Sequence, residues 1–155
     1  MALTPRRPAS LQPAGGRYQK LLFDGQQCFE AKNYEAAFNV YIQALKLAPP
    51  GDERALAQLC RCYRKKARKA LKRENHAEVI RLLQEMQALE RVTKHLKALD
   101  FKVLAESALE INDLSLAQQA LAEALARTET ITPELQRLQQ RIKAEALSRE
   151  MKGLY

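Results

Sequence analysis

The sequence predicts an all-α protein built from antiparallel helix pairs, and three observations support this prediction. Ala, Leu, Gln, Glu, Lys and Arg dominate the 155 residues, and all of them are good helix formers. Val, Ile, Phe and Tyr are too sparse and too scattered to form strands. Apolar residues recur at offsets of three and four between short polar or proline-containing segments, which is the spacing of one helix face. We therefore expect about seven helices and no sheet.

The first 17 residues are predicted to form a disordered tail, because they combine three prolines, two adjacent glycines and three arginines with almost no apolar surface. Residues 18–155 then form the helical domain, which the length indicates is a single one. The N-terminus has no apolar stretch long enough for a secretory signal, and no segment approaches the length of a membrane span. We expect a cytoplasmic and/or nuclear protein.

Five breaks separate the predicted helices. Asn and Asp tolerate left-handed backbone and cap a following helix, and a proline pair stops one, so that Asp52 can cap the next helix. Thr132, Pro133 and Glu134 similarly predict a helix N-terminus. The breaks fall near Lys32-Asn33, Pro49-Pro50-Gly51, Glu74-Asn75, Asn112-Asp113 and Thr130 to Thr132.

Three of these breaks divide the chain into similar units. Asn33-Tyr34, Asn75-His76 and Asp113-Leu114 each fall between two predicted helices, and apolar residues follow each of them at offsets of four and then three. Self-similarity of this kind indicates a helical repeat protein.

The first unit resembles the tetratricopeptide repeat family. Its pattern is a small residue in the first helix, an Asn-Tyr turn, and a second helix with Ala, Tyr, Ala and a closing Pro. The matching residues are Leu21, Gly25, Phe29, Asn33 to Ala37, Tyr41, Ala44, Leu45, Leu47 and Pro49. The third unit fits through Phe101, Leu104, Ala105, Ala108, Ala117, Leu121 and Ala124. The resemblance implies close helix crossings at the small residues, above all Gly25, Ala37, Ala44, Ala105 and Ala117.

The middle unit departs from the family pattern. The turn residues recur after 42 and then 38 positions, against about 34 for the family. Its first helix, Asp52 to Arg73, is too long, and the connection from Leu89 to Phe101 has no breaker. We expect a lengthened or bent continuous helix through Arg91 to Ala98. A final helix, Pro133 to Lys152, would cap the third of about three repeats through Leu135, Leu138, Ile142 and Leu147.

A cationic helix is the first candidate binding surface. From Arg54 to Arg73 there are nine Lys or Arg and no acid, in a chain of net charge +8. Six of them share one broad face by their offsets of three and four. This cationic face comprises Arg61, Arg64, Lys65, Arg68, Lys69 and Lys72, opposite an apolar face of Leu56, Leu59, Tyr63, Ala67, Ala70 and Leu71. It is either a solvated face or a site for an acidic protein segment, for nucleic acid or for an anionic membrane surface.

A groove is the second candidate, and it rests on the resemblance alone. In the family, first helices of successive units line a concave surface that takes an extended peptide or a helix. The corresponding residues here are Gln19, Leu22, Gln26, Lys102, Glu106 and Glu110. Some members bind acidic chaperone tails through a Lys and an Asn, and Leu22 and Gln26 stand at those places, which argues against that ligand. The expected function is a protein–protein interaction adaptor or scaffold; the alternative is binding to nucleic acid phosphates.

Catalysis and cofactor binding find no support in the sequence. His76 and His95 have no nucleophile or carboxylate at a convincing spacing, and no Gly-rich phosphate loop is present. Cys28, Cys60 and Cys62 lack the spacing of a zinc site and are expected to be reduced core thiols. We therefore expect no enzyme, no cofactor, no metal and no small-molecule substrate.

Overall fold

The computed structural model describes residues 14–89 and 92–153, and these contain seven α-helices, one short 3₁₀ helix and no strand. The α-helices are α1 (Ala14–Glu30), α2 (Tyr34–Leu47), α3 (Arg54–Lys72), α4 (His76–Gln87), α5 (Ala98–Glu110), α6 (Leu114–Ala126) and α7 (Pro133–Gly153). The 3₁₀ helix spans Val92–His95. The predicted all-α fold class of helix pairs is confirmed.

One turn geometry occurs three times, between α1 and α2, between α3 and α4, and between α5 and α6. In each turn a residue with left-handed backbone is followed by an Asn or Asp whose side chain accepts a hydrogen bond from a backbone amide of the next helix. The left-handed residues are Lys32, Glu74 and Asn112, with φ of 63°, 57° and 63°. The capping residues are Asn33, Asn75 and Asp113, at 3.3, 3.3 and 3.1 Å from the amide nitrogens. The three turns that the sequence analysis aligned are therefore equivalent in structure.

Two other helix N-termini are capped as predicted. The Asp52 carboxylate accepts a hydrogen bond from the Arg54 amide at 3.1 Å and begins α3. The Thr132 hydroxyl accepts one from the Leu135 amide at 3.2 Å and begins α7. Both satisfy amides that have no acceptor within the helix.

The chain divides into two compact units, the first ending at Lys65 and the second beginning at Lys66, within α3. In the N-terminal unit α1 packs against α2. Ala37 and Ala44 are fully buried, and a Cβ at Gly25 would lie 2.6 Å from Cε1 of Tyr41. The close approach predicted from these small residues is confirmed.

In the C-terminal unit α5 packs against both α4 and α6, and α7 packs against α6 and α5. Ala105 and Ala117 are fully buried, as predicted. The first half of α7 covers the unit through Leu135, Leu138 and Ile142, but Leu147 is 57% exposed, so its predicted capping role is wrong. The reason is length, because α7 has 21 residues and α6 only 13, which leaves the end of α7 without a helix beside it.

The prediction of a continuous helix through Arg91 to Ala98 is also wrong. The α4 helix ends at Gln87, a 3₁₀ helix follows, and α5 begins only at Ala98; residues 90 and 91 lie outside the described ranges. The side chain of Asp100 accepts a hydrogen bond from the Lys97 amide at 2.8 Å, which fixes the start of α5. Burial of Val92 anchors the connection.

The predicted tail is only partly within the described residues. Residues 1–13 lie outside them, and α1 begins at Ala14, which places residues 14–17 in a helix although the sequence analysis assigned them to the tail. The two glycines in this segment lie in the first turn, where backbone amides need no acceptor from the helix itself.

Candidate functional site

An open groove of about 590 Å³ lies in the N-terminal unit, between α1 and α3. It brings together the three predicted groove residues of α1, Gln19, Leu22 and Gln26. Its other lining residues are Phe23, Phe29, Glu30, Tyr41, Arg54, Gln58 and Arg61. A volume of this size is within the range of protein ligand sites.

At one end of the groove, Arg54 is held by several neighbours. Its guanidinium donates to both carboxylate oxygens of Asp52, with a shortest distance of 2.7 Å, and to Oε1 of Gln19 at 3.3 Å. It also lies 5.4 Å from the ring centroid of Tyr18, whose hydroxyl donates to Asp52 at 2.9 Å. The hydrogen bonds from Arg54 hold the pKa of Asp52 well below its usual range, against the opposing effect of desolvation. Arg54 is therefore largely neutralised.

Arg61 differs from Arg54, because it faces the groove without an ion pair, although the carboxylate of Glu30 lines the same groove. Its guanidinium lies 4.4 Å from the ring centroid of Phe29 and donates to Oε1 of Gln58 at 2.8 Å. Within the described ranges no carboxylate lies at ion-pair distance from it, and the residue is exposed. An arginine fixed over an aromatic ring is prepared to bind a carboxylate with little loss of side-chain freedom.

The groove also has an apolar surface. Phe23 is 60% exposed, and Leu22 beside it is half-buried. Tyr41 is buried at the base, and desolvation raises the pKa of its phenol to about 12, so the ring stays neutral. The side-chain amide of Gln26 donates to Glu30 at 3.0 Å. A cation, an apolar wall and several amides can together hold a peptide segment that carries an acidic and a bulky apolar side chain.

The other three predicted groove residues, Lys102, Glu106 and Glu110, lie on α5 in the C-terminal unit. There Lys102 pairs with Glu106 at 3.3 Å, and Glu110 pairs with Arg141 at 3.4 Å. They do not line the groove of the N-terminal unit.

The predicted cationic face lies on α3 and is not uniform. Arg61 lines the groove, Arg64 is half-buried, and the Lys65 ammonium lies 5.9 Å from the ring centroid of Tyr34. Arg68, Lys69 and Lys72 are exposed, and no carboxylate of the described chain lies at ion-pair distance from them. The opposite side of the helix is buried as predicted, except for Leu71, which is 36% exposed.

Six residues that line the groove were not among the predicted site residues. Phe29 and Tyr41 were predicted only as packing residues of the first unit, and Phe23, Glu30, Arg54 and Gln58 were not singled out for a site. Arg54, Gln58 and Arg61 follow each other at offsets of four and three, so a helical plot of α3 places them on one face. That signal was available in the sequence, but it did not indicate that α1 would lie opposite. Phe23 offered no signal, because a lone exposed aromatic is common on protein surfaces.

In the described part of the chain, the ring of His76 lies close to the hydroxyl of Ser107. His76 Nδ1 lies 3.3 Å from Oγ of Ser107, a pair that the sequence spacing did not indicate. Ser107 is fully buried, so a substrate has no access to this hydroxyl. Cys28, Cys60 and Cys62 form no disulfide; Cys60 and Cys62 are buried and Cys28 is half-buried. Among the described residues no cluster of metal-ligating side chains was found, and no helix is long and apolar enough to cross a membrane.

The fold defines the class, which is that of all-α proteins built from antiparallel helix pairs. No protein-family model and no curated protein matches the chain. Among solved structures, the chain is similar to the Hsp90 co-chaperone Cns1 from Saccharomyces cerevisiae (delta69), with a TM-score of 0.53 and 16% sequence identity. The match covers 94% of this chain and 44% of that chain. At this identity the similarity supports the fold, and the chain spans less than half the length of that protein.

Proposed function

We propose that this chain is a protein-interaction domain, an adaptor or scaffold that binds a segment of a partner protein in the groove between α1 and α3. The observation that carries the proposal is Arg61, an exposed guanidinium fixed over Phe29 with no carboxylate partner among the described residues. Similarity to the fold of a co-chaperone supports a protein partner. Catalysis has no role in this proposal.

The groove favours a particular kind of segment. Arg61 would bind an aspartate or glutamate side chain, and Phe23 and Leu22 would contact a bulky apolar side chain close to it. The amides of Gln19 and Gln58 can bond the peptide main chain. A partner segment with an acidic and an apolar residue close together fits these groups. The Leu22 and Gln26 positions still argue against an acidic chaperone tail as the ligand.

Peptide selection tests this proposal. A library of displayed peptides is selected on the full chain, and enriched peptides are measured for affinity by fluorescence anisotropy. We expect a shared acidic-plus-apolar pattern and a loss of about tenfold or more in affinity for Arg61→Glu, because the variant replaces an attractive charge with a repulsive one.

Arg68→Glu is the matched control, since Arg68 is an exposed arginine on the same helix that does not line the groove. Enriched peptides should bind this variant with nearly unchanged affinity. Equal binding to wild type and Arg61→Glu, with both variants folded by circular dichroism, would remove the groove from the proposal.

A second candidate function is binding to nucleic acid through the phosphate backbone. Arg68, Lys69 and Lys72 favour it, since they are exposed and have no carboxylate partner in the described part of the chain. Base stacking is not expected, because Tyr63, the one aromatic residue of α3, is buried and packs edge-on against Phe38 with 5.0 Å between ring centroids. Only phosphate attraction remains for this candidate.

The second candidate is tested with a duplex DNA and a polyuridine RNA at two salt concentrations. It requires affinity that falls steeply as salt rises and that a triple variant, with Glu at the positions of Arg68, Lys69 and Lys72, abolishes. Absence of binding at low salt ends this candidate without affecting the first.

We also propose a cytoplasmic and/or nuclear location, which imaging of a fluorescent fusion of the full chain tests.

A further inference from the structure

The C-terminal half of α7 extends beyond α6, because α7 has 21 residues and α6 only 13. In the first half Leu138 and Ile142 are buried, whereas in the second half Leu147 is 57% and Met151 49% exposed. One exposed leucine is common on protein surfaces, but two large apolar side chains at an offset of four lie on one helix face. This half of α7 therefore has an apolar face that the described chain leaves largely open to solvent.

The exposed face has the residue spacing of a helix–helix contact. Gln140, Ala144, Leu147 and Met151 follow each other at offsets of four, three and four, and all four are exposed. Residues at these offsets form the seam along which two helices pack in a coiled coil. The small side chain of Ala144 leaves room for a second helix to approach. These four residues form the outer stripe of α7.

Arg149 fixes which side of α7 faces the C-terminal unit. Its guanidinium donates to the main-chain oxygen of Asn112, in the turn between α5 and α6, at 3.0 Å. Leu147 is about 200° around the helix from Arg149 and about 180° from the buried Leu138. A rotation of α7 that covered Leu147 would therefore expose Leu138 and break the bond to Asn112. The outer stripe points away from the unit and needs a partner from outside it.

Two opposite charges flank the outer stripe. Lys143 and Glu150 are exposed, and neither forms an ion pair with another residue that the structure describes. They are seven positions apart, which places them on the same side of the helix and about 10 Å apart along its axis. No charged residue lies three or four positions from either of them, so neither charge is balanced within α7.

This arrangement is complementary to a second copy of the same helix in the antiparallel orientation. A two-fold axis midway between Lys143 and Glu150 brings Lys143 of each copy beside Glu150 of the other copy. Leu147 lies next to that midpoint, so the Leu147 side chains of the two copies meet at the axis. A parallel pair would instead place each charge level with the same charge of the other helix.

We propose that the outer stripe of α7 is a self-association surface, through which two copies of this chain form an antiparallel helix pair with reciprocal Lys143–Glu150 ion pairs. The contact spans only about three helical turns, so the dimer is weaker than one with a standard interface of about 800 Å² per partner. The inference goes beyond the proposed function, because it concerns another surface and a second copy of the chain. A dimer carries two copies of the groove, so a partner with two matching segments binds it with avidity.

Sedimentation velocity of the full chain between about 10 µM and about 500 µM tests this proposal, because a weak dimer forms only at the higher concentrations. We expect the sedimentation coefficient to rise from the monomer value towards the dimer value. Leu147→Gln removes an apolar side chain from each copy without changing the net charge, and it should raise the dimer dissociation constant about tenfold or more.

Leu99→Gln is the matched control, since Leu99 is 58% exposed and lies on α5. It should dimerise like the wild type, and circular dichroism should show both variants folded. A wild-type chain that stays monomeric over the whole range, or equal losses in the two variants, would overturn the proposal. Affinity for a single peptide at the Arg61 groove should be the same in Leu147→Gln and wild type, which separates this test from that of the groove.

Exchange of the two charges tests the antiparallel arrangement. Lys143→Glu alone and Glu150→Lys alone each bring like charges together and should weaken the dimer about fivefold or more. The double variant Lys143→Glu/Glu150→Lys restores both ion pairs and should dimerise like the wild type. Since the two residues are too far apart to interact within one helix, this recovery requires a second copy. A double variant as weak as the single ones would overturn the arrangement, as would species larger than a dimer, because a two-fold contact closes at two copies.

Discussion

Gly25 shows how one missing side chain allows two helices to approach. Because a Cβ there would lie 2.6 Å from Cε1 of Tyr41, a methyl group cannot be added without moving the ring. We expect Gly25→Ala to lower the free energy of unfolding by about 1–2 kcal/mol, since overpacking outweighs the better helix propensity of alanine. Urea denaturation followed by circular dichroism measures the change.

Gly16 on the same helix is the control for Gly25. A Cβ at Gly16 would meet no atom within 4 Å, so Gly16→Ala should be neutral or stabilising by up to about 1 kcal/mol. Equal urea midpoints for the two variants would contradict the close approach of α1 and α2.

Asp52 makes the stability of the N-terminal unit depend on acid pH. Hydrogen bonds from Arg54 lower the pKa of its carboxyl group in the folded protein below that in the unfolded chain, about 3.9. The stabilisation is therefore present above about pH 4 and is lost as the pH falls towards the lower, folded-state pKa.

Urea denaturation at about pH 6 and about pH 2.5 checks this prediction. Wild type should lose more stability between the two values than Asp52→Asn loses. Asp24→Asn is the control, because Asp24 makes no hydrogen bond or ion pair in the described part of the chain. Identical pH profiles for wild type and Asp52→Asn would contradict the role given to this carboxylate.

At the scale of elements, the three equivalent turns determine where second helices begin. Each of Asn33, Asn75 and Asp113 accepts a hydrogen bond from an amide of the following helix. Replacing any of them with alanine should cost about 1 kcal/mol of stability, because the amide is left without that acceptor. Thermal and urea unfolding of the three single variants provide the measurement.

Asn39→Ala is the control for the caps, since Asn39 is exposed within α2 and caps nothing. It should be neutral or slightly stabilising, because alanine is the better helix former. If the three cap variants were as stable as Asn39→Ala, the side chains of Asn33, Asn75 and Asp113 would not stabilise the turns.

The sequence predicted helices best where the signals are local. Helix periodicity and capping residues located five of the six breaks between the described α-helices, because those effects act within a few residues. The connection from α4 to α5 was mispredicted, since it contains no glycine or proline and α5 starts at Lys97 and Asp100 without a Ser, Thr or Asn cap. Leu147 was mispredicted because helix periodicity does not indicate where a neighbouring helix ends.

The candidate groove was predictable only in part. The resemblance identified the α1 residues, and the cationic spacing identified Arg61, but the two were assigned to separate surfaces. They meet in one groove because α1 packs beside α3, and the residues concerned are about 30 positions apart in the chain. Local sequence patterns do not indicate contacts at that separation.

At the scale of the whole molecule, the net charge of +8 should accelerate association with acidic partners. For an acidic peptide selected on the groove, we expect the association rate to fall about tenfold between about 0.05 M and 0.5 M salt, with the dissociation rate much less affected. Stopped-flow fluorescence measures both rates.

A double variant with Glu at Lys69 and Lys72 provides the comparison, because these exposed residues do not line the groove. It lowers the net charge by four units and should reduce both the association rate at low salt and its salt dependence. A dissociation rate that rises in this variant would instead indicate direct contact between these lysines and the peptide.

The repeated turn also has a consequence for thermal tolerance. Lys32 and Glu74 adopt left-handed backbone that disfavours residues with a Cβ, at a cost of roughly 1–2 kcal/mol each. Glycine removes this strain but has more freedom in the unfolded chain, so Lys32→Gly and Glu74→Gly should each raise the free energy of unfolding by about 0.5–1 kcal/mol. Asn112→Gly should raise it by less, since asparagine tolerates the left-handed conformation. If calorimetry bears this out, the chain can be made more heat-resistant at two loop positions that do not line the groove between α1 and α3.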